Sequence, residues 1–184
     1  MILGSAGLIR CLAAEPDENT ISVGHSSGFI SQLGNKKLSK VEKKSFFNVF
    51  FFSDIRTGKL RQAWKAHEGE ILSLTSINRN EFVSTSLDQV SSVWNSADGK
   101  IKCMLPGAQE PIHCVSVYEE GQQLITGSTG NRIGVRKGFT ADSPYTSSRI
   151  KADILKGNMT SMKLLPMNRL LLLGEDTGKI RLLC

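Results

Sequence analysis

Apolar and polar residues alternate in short runs along most of the chain, and the runs end at glycine or other turn-forming residues. The pattern is clearest in three consecutive runs, Ile71 to Ser76, Phe82 to Ser86 and Val90 to Trp94. A period of two residues predicts β-strands, and strands this close together predict a meander. Because a three-stranded meander cannot bury its own faces, the unit needs neighbours of the same kind.

The unit repeats along the chain. First strands are predicted to begin near Leu8, Ile71, Ile112 and Met159, with spacings of 63, 41 and 47 residues. The second and third strands of the other units are predicted at Thr20 to Gly24 and Phe29 to Leu33, at Gln123 to Gly127 and Arg132 to Arg136, and at Arg169 to Gly174 and Lys179 to Leu183. Outer fourth strands are predicted at Lys59 to Trp64 and at Lys100 to Leu105. A period of ~40–45 residues is typical of propeller blades.

Residues 34–53 account for the long first spacing. They separate the third strand of the first unit from Asp54, and without these 20 residues the spacing would be 43. Five lysines followed by five phenylalanines favour a basic and aromatic loop that binds phosphoinositides or membranes, although such a lysine cluster also suits a nuclear-import or nucleic-acid patch. The alternative is a retained intron, because the residues at both ends can be encoded by splice-like sequences. If the segment is translated, a disordered loop is expected.

The same segment weakens any inference from charge. The formal net charge is +6, but residues 34–53 supply five lysines and one glutamate, so the rest of the chain carries only +2. No nucleic-acid partner is therefore predicted. The predicted organisation is the inner strands of the first blade in residues 1–33, the insert in 34–53, and the remaining blades of the same propeller in 54–184.

His67, Ser84, Asp88 and Trp94 stand at the offsets of the hydrogen-bonded tetrad of a WD-type blade, with Ser86 as an alternative serine. Aspartate accepts from imidazole, imidazole meets the hydroxyl, and the hydroxyl meets the indole N–H. This chain satisfies groups that would each cost ~1–3 kcal/mol if buried alone. His67, Ser84 and Asp88 also have the side chains of a hydrolytic triad, but no nucleophile-elbow motif accompanies them. We predict a structural tetrad, no catalytic site and no enzyme.

These features predict an all-β fold, a partial WD-type β-propeller of about four blades whose last blade lacks its outer strand. The apolar run Leu170 to Leu173 is too short to span a bilayer. A generic β-sandwich is the alternative, but it would leave the offsets of histidine, aspartate and tryptophan unexplained.

The other units depart from the full tetrad. Thr129-Gly130 stands where the third unit should have aspartate, and Arg136 replaces tryptophan. The fourth unit keeps Asp176, which we assign to the blade-aspartate position. His25 lies in a glycine- and serine-rich segment, and a plain turn residue is expected there.

Two residues are predicted to bind partners on the propeller rim. The residue before the blade aspartate often lies on that rim, which singles out Leu87 and Glu175.

The cysteines point to a reduced protein on the cytoplasmic side. The four of them, Cys11, Cys103, Cys114 and Cys184, show no CxxC spacing. No metal site and no cofactor are predicted. The first residues also lack the basic start and long apolar stretch of a signal peptide.

Several segments carry a family resemblance: VGHSSGF, DIRTGKL, AHEGEIL, EPIHC, TGSTGNRIGV and LLLGEDTGKIRLLC. Together they resemble the extreme C-terminus of a family of large BEACH-domain proteins that carry a C-terminal WD propeller. The last segment is the most specific, and the resemblance covers most of residues 20–184. The chain lacks the BEACH domain, so membrane functions that need it are not carried over.

The resemblance implies a protein-binding scaffold in endosomal trafficking and autophagy. The family works in early-to-late endosome conversion and restrains phosphatidylinositol 3-kinase activity together with a second WD-repeat protein. The implied partners are that WD-repeat protein and subunits of the kinase complex. The implied location is cytoplasmic, peripheral on endosome membranes, with membrane association through the full-length protein.

Overall fold

The computed structural model describes residues 7–14, 20–34, 60–118, 122–151, 154–165 and 170–183. Within these ranges the chain forms fifteen β-strands in four antiparallel sheets. Neighbours in sequence are neighbours in each sheet, as expected for meanders joined in a row. The all-β propeller arrangement of four blades is confirmed. Among the described residues we find no helix that is long and apolar enough to cross a membrane.

Each sheet is one blade. Blade 1 contains β1 (Ile9–Ala14), β2 (Thr20–His25), β3 (Phe29–Gly34) and β4 (Leu60–Lys65). Blade 2 contains β5 (Ile71–Asn78), β6 (Glu81–Ser86), β7 (Ser91–Asn95) and β8 (Ile101–Leu105). Blade 3 contains β9 (Ile112–Tyr118), β10 (Gln123–Ser128), β11 (Arg132–Lys137) and β12 (Tyr145–Arg149). Blade 4 contains β13 (Met159–Leu164), β14 (Leu171–Glu175) and β15 (Ile180–Leu183), so its described part has three strands, as predicted.

The predicted insert separates the last two strands of blade 1. Gly34, which the sequence assigns to the insert, is the last residue of β3 and pairs with Thr20. The next described strand, β4, pairs with β3 from Phe29↔Lys65 to Leu33↔Leu60. Residues 35–53 lie outside the described part of the chain. The membrane-loop and retained-intron interpretations therefore both stay predictions.

The same irregular register joins the first two strands of every blade. A bulge shifts the pairing next to the first residue of each first strand. The bulge provides a common reference point, at which the paired residues are Ile9↔His25, Ile71↔Ser86, Ile112↔Ser128 and Met159↔Glu175. Residues at the same distance from these pairs are equivalent between blades.

Consecutive blades pack face to face. We call the face that meets the preceding blade the front face, and the face that meets the following blade the back face. Three apolar clusters fill the junctions: Ala13, Ile30, Ile71, Leu74, Phe82 and Trp94 between blades 1 and 2, Ile77, Val83, Val93, Leu105, Ile112, Val115 and Leu124 between blades 2 and 3, and Cys114, Leu155, Met159, Met162 and Leu173 between blades 3 and 4. An open cavity of ≈ 570 Å³ is lined by all four first strands, which stand side by side along the inner edge.

Close approach at one junction requires glycine. A Cβ at Gly127 on the back of blade 3 would lie 2.5 Å from Sδ of Met159 and 2.7 Å from Sγ of Cys114. Met159 is almost completely buried in this position. Because Gly127 has no Cβ, Met159, the first residue of blade 4, can pack against its backbone.

Gly28 ties blade 1 to the connection that enters blade 2. Its carbonyl accepts from the N–H groups of Ala66 (2.9 Å) and His67 (3.0 Å). Its φ is +78°, and an added Cβ would lie 2.0 Å from the carbonyl oxygen of His67. Gly178 has nearly the same φ, +77°, but open space around it.

We expect Gly28→Ala to destabilise the protein more than Gly178→Ala does. Both variants place a side chain in the left-handed region, at a cost of ~1–2 kcal/mol. Only the variant at Gly28 also clashes with backbone, which should add about 1–3 kcal/mol. Urea unfolding followed by far-ultraviolet circular dichroism measures both free energies. Equal losses would show that the contact to His67 is not tight.

Candidate functional site

The structure joins the four predicted tetrad residues in one chain of hydrogen bonds. Nδ1 of His67 lies 3.1 Å from Oδ2 of Asp88, and Nε2 lies 2.6 Å from Oγ of Ser84. The indole N–H of Trp94 donates to the same Oγ at 2.7 Å. With the proton on Nδ1, His67 donates to Asp88 and accepts from the Ser84 hydroxyl, which satisfies every polar atom in the chain. Ser84, not Ser86, is the serine of the tetrad.

Asp88 holds two segments together from its hairpin. Its Oδ1 accepts from the N–H of Val90 (2.9 Å), and its Oδ2 accepts from the N–H of Glu68 (3.1 Å). The carboxylate of Asp88 thus accepts one hydrogen bond within the β6–β7 turn and a second one from the connection before β5. The next residue, Gln89, has a φ of +67°, a conformation that completes the turn.

The buried position of Ser84 argues against the hydrolytic alternative. Its side chain is completely buried, and its oxygen already contacts both His67 and Trp94. A nucleophile must reach its substrate and lie near an oxyanion site. The three side chains therefore form a structural unit at this position rather than an accessible triad.

Burial sets the protonation of the tetrad. It lowers the pKa of His67 below the ordinary 6.5, although the neighbouring Asp88 offsets part of this effect. Burial alone would raise the pKa of Asp88, but the N–H of Val90 and the ring of His67 hold the pKa of that carboxyl below its usual range. A neutral imidazole beside a carboxylate is the state that fits the hydrogen bonds.

Blade 3 uses arginine and tyrosine at the equivalent positions. Thr126 occupies the place of the tetrad serine, and its hydroxyl lies 3.2 Å from that of Tyr145. Arg136, in the place of tryptophan, is buried and donates to the carbonyl oxygens of Ser143 (2.8 Å) and Pro106. Its guanidinium lies 4.9 Å from the ring centroid of Tyr145, a cation–π distance. Sequence reasoning identified Arg136 as a replacement but missed Tyr145.

In blade 3 the carboxylate that binds the hairpin belongs to the other segment than in blade 2. Here the carboxylate comes from the connection, as Oε2 of Glu110 accepts from the hydroxyl of Ser128 (2.9 Å) and the N–H of Gly130 (3.0 Å). The missing aspartate at Thr129-Gly130 is thereby replaced from outside the turn.

Blade 4 departs from the sequence assignment. The shared register makes Glu175 equivalent to Ser86, and therefore Asp176 equivalent to Leu87 rather than to Asp88. The assignment of Asp176 to the blade-aspartate position was wrong by one residue. Its carboxylate accepts from the backbone N–H and the side-chain amide of Asn158, at 2.9 and 2.8 Å.

Glu175, proposed from the sequence as a rim residue, lies inside the blade. Its side chain is fully buried, where it accepts from Arg181 (2.6 Å), from the N–H of Gly157 (2.9 Å) and from Thr177 (3.1 Å). The Arg181 guanidinium, helped by the N–H of Gly157, lowers the pKa of Glu175 to about 2. A carboxylate enclosed in this way is not presented to a partner.

His25 also differs from expectation. It ends β2 and is completely buried, with Nε2 2.8 Å from Oγ of Ser31. Burial lowers its pKa, and the backbone of Gly7 partly offsets this. The plain turn residue expected from the sequence is instead an interior histidine at the position of Ser86.

The described residues contain no cluster of three or more histidine, cysteine or acidic side chains that could hold a metal ion. Cys11, Cys103 and Cys114 are free thiols. Burial raises the pKa of Cys11 and of Cys114 to about 12, so neither forms a thiolate at neutral pH. Cys184 lies outside the described part of the chain.

The chain resembles one segment of much longer proteins. It is 36% identical over 180 residues to WD repeat-containing protein 81 of Danio rerio, and 34% identical over 177 residues to the proteins of that name from Homo sapiens and Rattus norvegicus. The alignments cover 97% and 96% of this chain and 8% of each relative. The chain is a relative of WD repeat-containing protein 81.

Two further proteins are similar to this chain, one in sequence and one in fold. BEACH domain-containing protein lvsE of Dictyostelium discoideum is 26% identical over 95 residues, which cover 47% of the chain and 4% of that protein. The crystal structure of the computationally designed protein Ika4 matches with a TM-score of 0.66 and 19% identity, and covers 96% of this chain and 91% of the Ika4 chain. This second match shows the fold alone. No protein-family model matches the chain.

Leu87 is the rim residue that the structure exposes in this relative of WD repeat-containing protein 81. It lies in the β6–β7 hairpin beside Asp88, with 46% of its surface exposed. Its N–H donates to the carbonyl of Glu70 at 2.9 Å, so its backbone is held against the connection before β5. The hairpin that carries Asp88 therefore presents an apolar residue whose backbone is held in place.

We expect Ser84→Ala to destabilise the protein more than Ser86→Ala does. The first variant leaves two buried nitrogen groups, on His67 and Trp94, without their partner, at a cost of about 2–4 kcal/mol. The second removes one 3.2 Å contact from the N–H of Asp88 and should cost about 1 kcal/mol. Both serines are buried in the same strand, so urea unfolding compares them directly. A larger loss for Ser86→Ala would contradict the tetrad.

The free energy of unfolding should fall as the pH falls below about 6.5. Burial lowers the pKa of all three histidines, His25, His67 and His113, below that ordinary value. The unfolded chain therefore binds more protons than the folded chain in this window, which favours unfolding in acid. Urea unfolding at neutral pH and near pH 5 measures the change. In His67→Gln the change should be smaller, and a wild-type protein that gains stability in acid would contradict the assignment.

Proposed function

We propose that this chain is a non-enzymatic WD-repeat scaffold that binds proteins in endosomal trafficking and autophagy. The observation that carries the proposal is the similarity to WD repeat-containing protein 81 over nearly the whole chain. The propeller fold supports it, because short turns on stacked sheets display side chains at fixed positions. Relatives and fold together support protein interaction as the general role.

The finer proposal follows the family resemblance. It assigns as partners a second WD-repeat protein and subunits of the phosphatidylinositol 3-kinase complex, during early-to-late endosome conversion. It places the chain on the cytoplasmic side of endosome membranes. Since the chain spans 8% of the relatives' length, these activities are proposed for the propeller only as one part of a larger assembly.

Leu87 is proposed as a contact residue for these partners. An apolar side chain beside a rigid turn loses little freedom on binding, which makes it a suitable anchor. Ile101 provides a matched control, because it is 45% exposed in the outer strand β8 of the same blade, away from the β6–β7 rim.

The test is co-purification from vertebrate cells that express the tagged full chain. Immunoblotting of the captured material for kinase-complex subunits should be positive, and Leu87→Glu should reduce capture about tenfold. Ile101→Glu should leave capture unchanged. Failure of the wild-type chain to capture any kinase-complex subunit would overturn the partner proposal, and equal losses in both variants would overturn the assignment to Leu87.

A further inference from the structure

Blade 3 has a cavity beside the residue that replaces the tetrad histidine of blade 2. The cavity has a volume of ≈ 200 Å³ and is lined by residues of blade 3 and of the connection that enters it from β8. Three of its lining residues, Gly107, Gln109 and Ser147, are exposed, so the cavity opens to solvent. Blade 3 packs between blades 2 and 4, and the cavity therefore lies away from both ends of the described array.

Backbone hydrogen bonds show which residue replaces the histidine. The β-hairpin of each blade donates an N–H to the carbonyl of the residue before the first strand. That carbonyl belongs to Glu70 in blade 2 (2.9 Å) and to Pro111 in blade 3 (3.2 Å). Three residues before these acceptors lie His67 and Ala108, respectively. Ala108 lines the cavity, and its methyl group is far smaller than an imidazole ring. Blade 3 thus keeps the backbone frame of the tetrad without its ring.

Two charged side chains line the cavity, one a donor and the other an acceptor. Nε and Nη2 of Arg132 lie 3.4 Å from Oγ of Ser147, which is longer than the ~2.7–3.2 Å of ordinary N–H···O bonds. Within the described ranges no carboxylate forms an ion pair with Arg132. Oε2 of Glu110 accepts from Ser128 and Gly130, which leaves Oε1 available. The cavity therefore offers donors from one side chain and an acceptor from another.

We propose that this cavity binds the histidine side chain of a partner protein as a neutral imidazole. Such a ring has one N–H donor and one nitrogen acceptor. Its N–H donates to Oε1 of Glu110, and its other nitrogen accepts from Arg132. This repeats the arrangement in blade 2, where His67 donates to one neighbour and accepts from another. The partner thus supplies in trans the ring that blade 3 lacks.

The size and charge of the cavity favour this ring over other side chains. A cavity of ~150 Å³ holds a benzene ring, so one of ≈ 200 Å³ has room for an imidazole. Lysine or arginine would meet the like charge of Arg132, and aspartate or glutamate would meet that of Glu110. Phenylalanine would cover both charged groups without a hydrogen bond to either.

The inference rests on the proposed role in protein binding, but the site and its test are separate from that of Leu87, which does not line the cavity. N-acetylhistidine methylamide is the probe, because it presents the side chain without a particular partner. If the probe binds although the chain captures no kinase-complex subunit, only the trafficking proposal fails. If capture succeeds and the probe does not bind, only the cavity proposal fails.

The probe should bind the full chain with a dissociation constant on the order of 1 mM, as expected for one small ring held by two hydrogen bonds. The titration is done at about pH 7.5, where a free histidine side chain is mostly neutral. Heteronuclear amide NMR follows it, and the signals of Ala108 and Gly130 should shift. Absence of saturable binding at ~10-fold that concentration would overturn the proposal.

Two related ligands test the chemistry of recognition. N-acetylphenylalanine methylamide has a ring without donor or acceptor, and N-acetylasparagine methylamide has a donor and an acceptor without a ring. Both should bind at least ~10-fold more weakly than the histidine probe. Equal affinity for either ligand would contradict the assignment to histidine.

A pair of arginine variants locates the site. Arg132→Met removes the donors but keeps a long side chain, and it should weaken binding of the probe at least ~10-fold. Arg149→Met is the matched control, because Arg149 pairs with Arg132 between β11 and β12, is exposed and does not line the cavity. It should leave binding unchanged, and equal losses in the two variants would overturn the assigned site.

Ala108→His supplies the missing ring from the chain itself. The new imidazole should occupy the cavity and abolish binding of the probe. Far-ultraviolet circular dichroism checks that the variant is folded. A folded variant that binds the probe as tightly as the wild type would contradict the proposal. If Ala108→His does not fold, the comparison of Arg132→Met with Arg149→Met decides.

Discussion

The packing of one sheet face on the next is the interaction on which the rest of this structure depends. A single meander of three or four strands leaves both faces exposed, and burying one isoleucine or leucine contributes only about 1.5–3 kcal/mol. The blades therefore stabilise one another through repeated insertions such as Ile71 behind blade 1 and Met159 against Gly127. The hairpins and their polar contacts are held in place because these faces meet.

The fold could be predicted because its signals are local. Alternation such as that of Ile71 to Ser76 indicates strands, and glycine, aspartate and asparagine mark the turns between them. Strand β12 was missed because Tyr145–Arg149 is polar and almost entirely exposed, with no apolar alternation. An outer strand that packs against no neighbouring blade does not need alternating apolar residues, so its sequence does not indicate a strand.

The site was predictable only where all its members follow the family pattern. The offsets of His67, Ser84, Asp88 and Trp94 identified the chain of hydrogen bonds before any geometry was known. Buried charges elsewhere gave no such signal. Glu175 resembles a turn residue until Arg181 is placed beside it, and Arg136 resembles a surface residue until Tyr145 and two carbonyl oxygens enclose it. These charged side chains are buried because residues on neighbouring strands contact them, and the sequence alone does not show which residues of two strands face each other.

The blades bury three kinds of polar pair: histidine with serine in blades 1 and 2, arginine over tyrosine in blade 3, and glutamate with arginine in blade 4. Repeat proteins misassemble when a strand of one repeat replaces its counterpart in another. Here a strand of blade 4 placed in blade 2 would bring Glu175 to a position without its arginine. Because the buried polar groups of different blades need different partners, an exchange of strands between such blades would leave these groups unpaired, and the misassembled fold would be less stable.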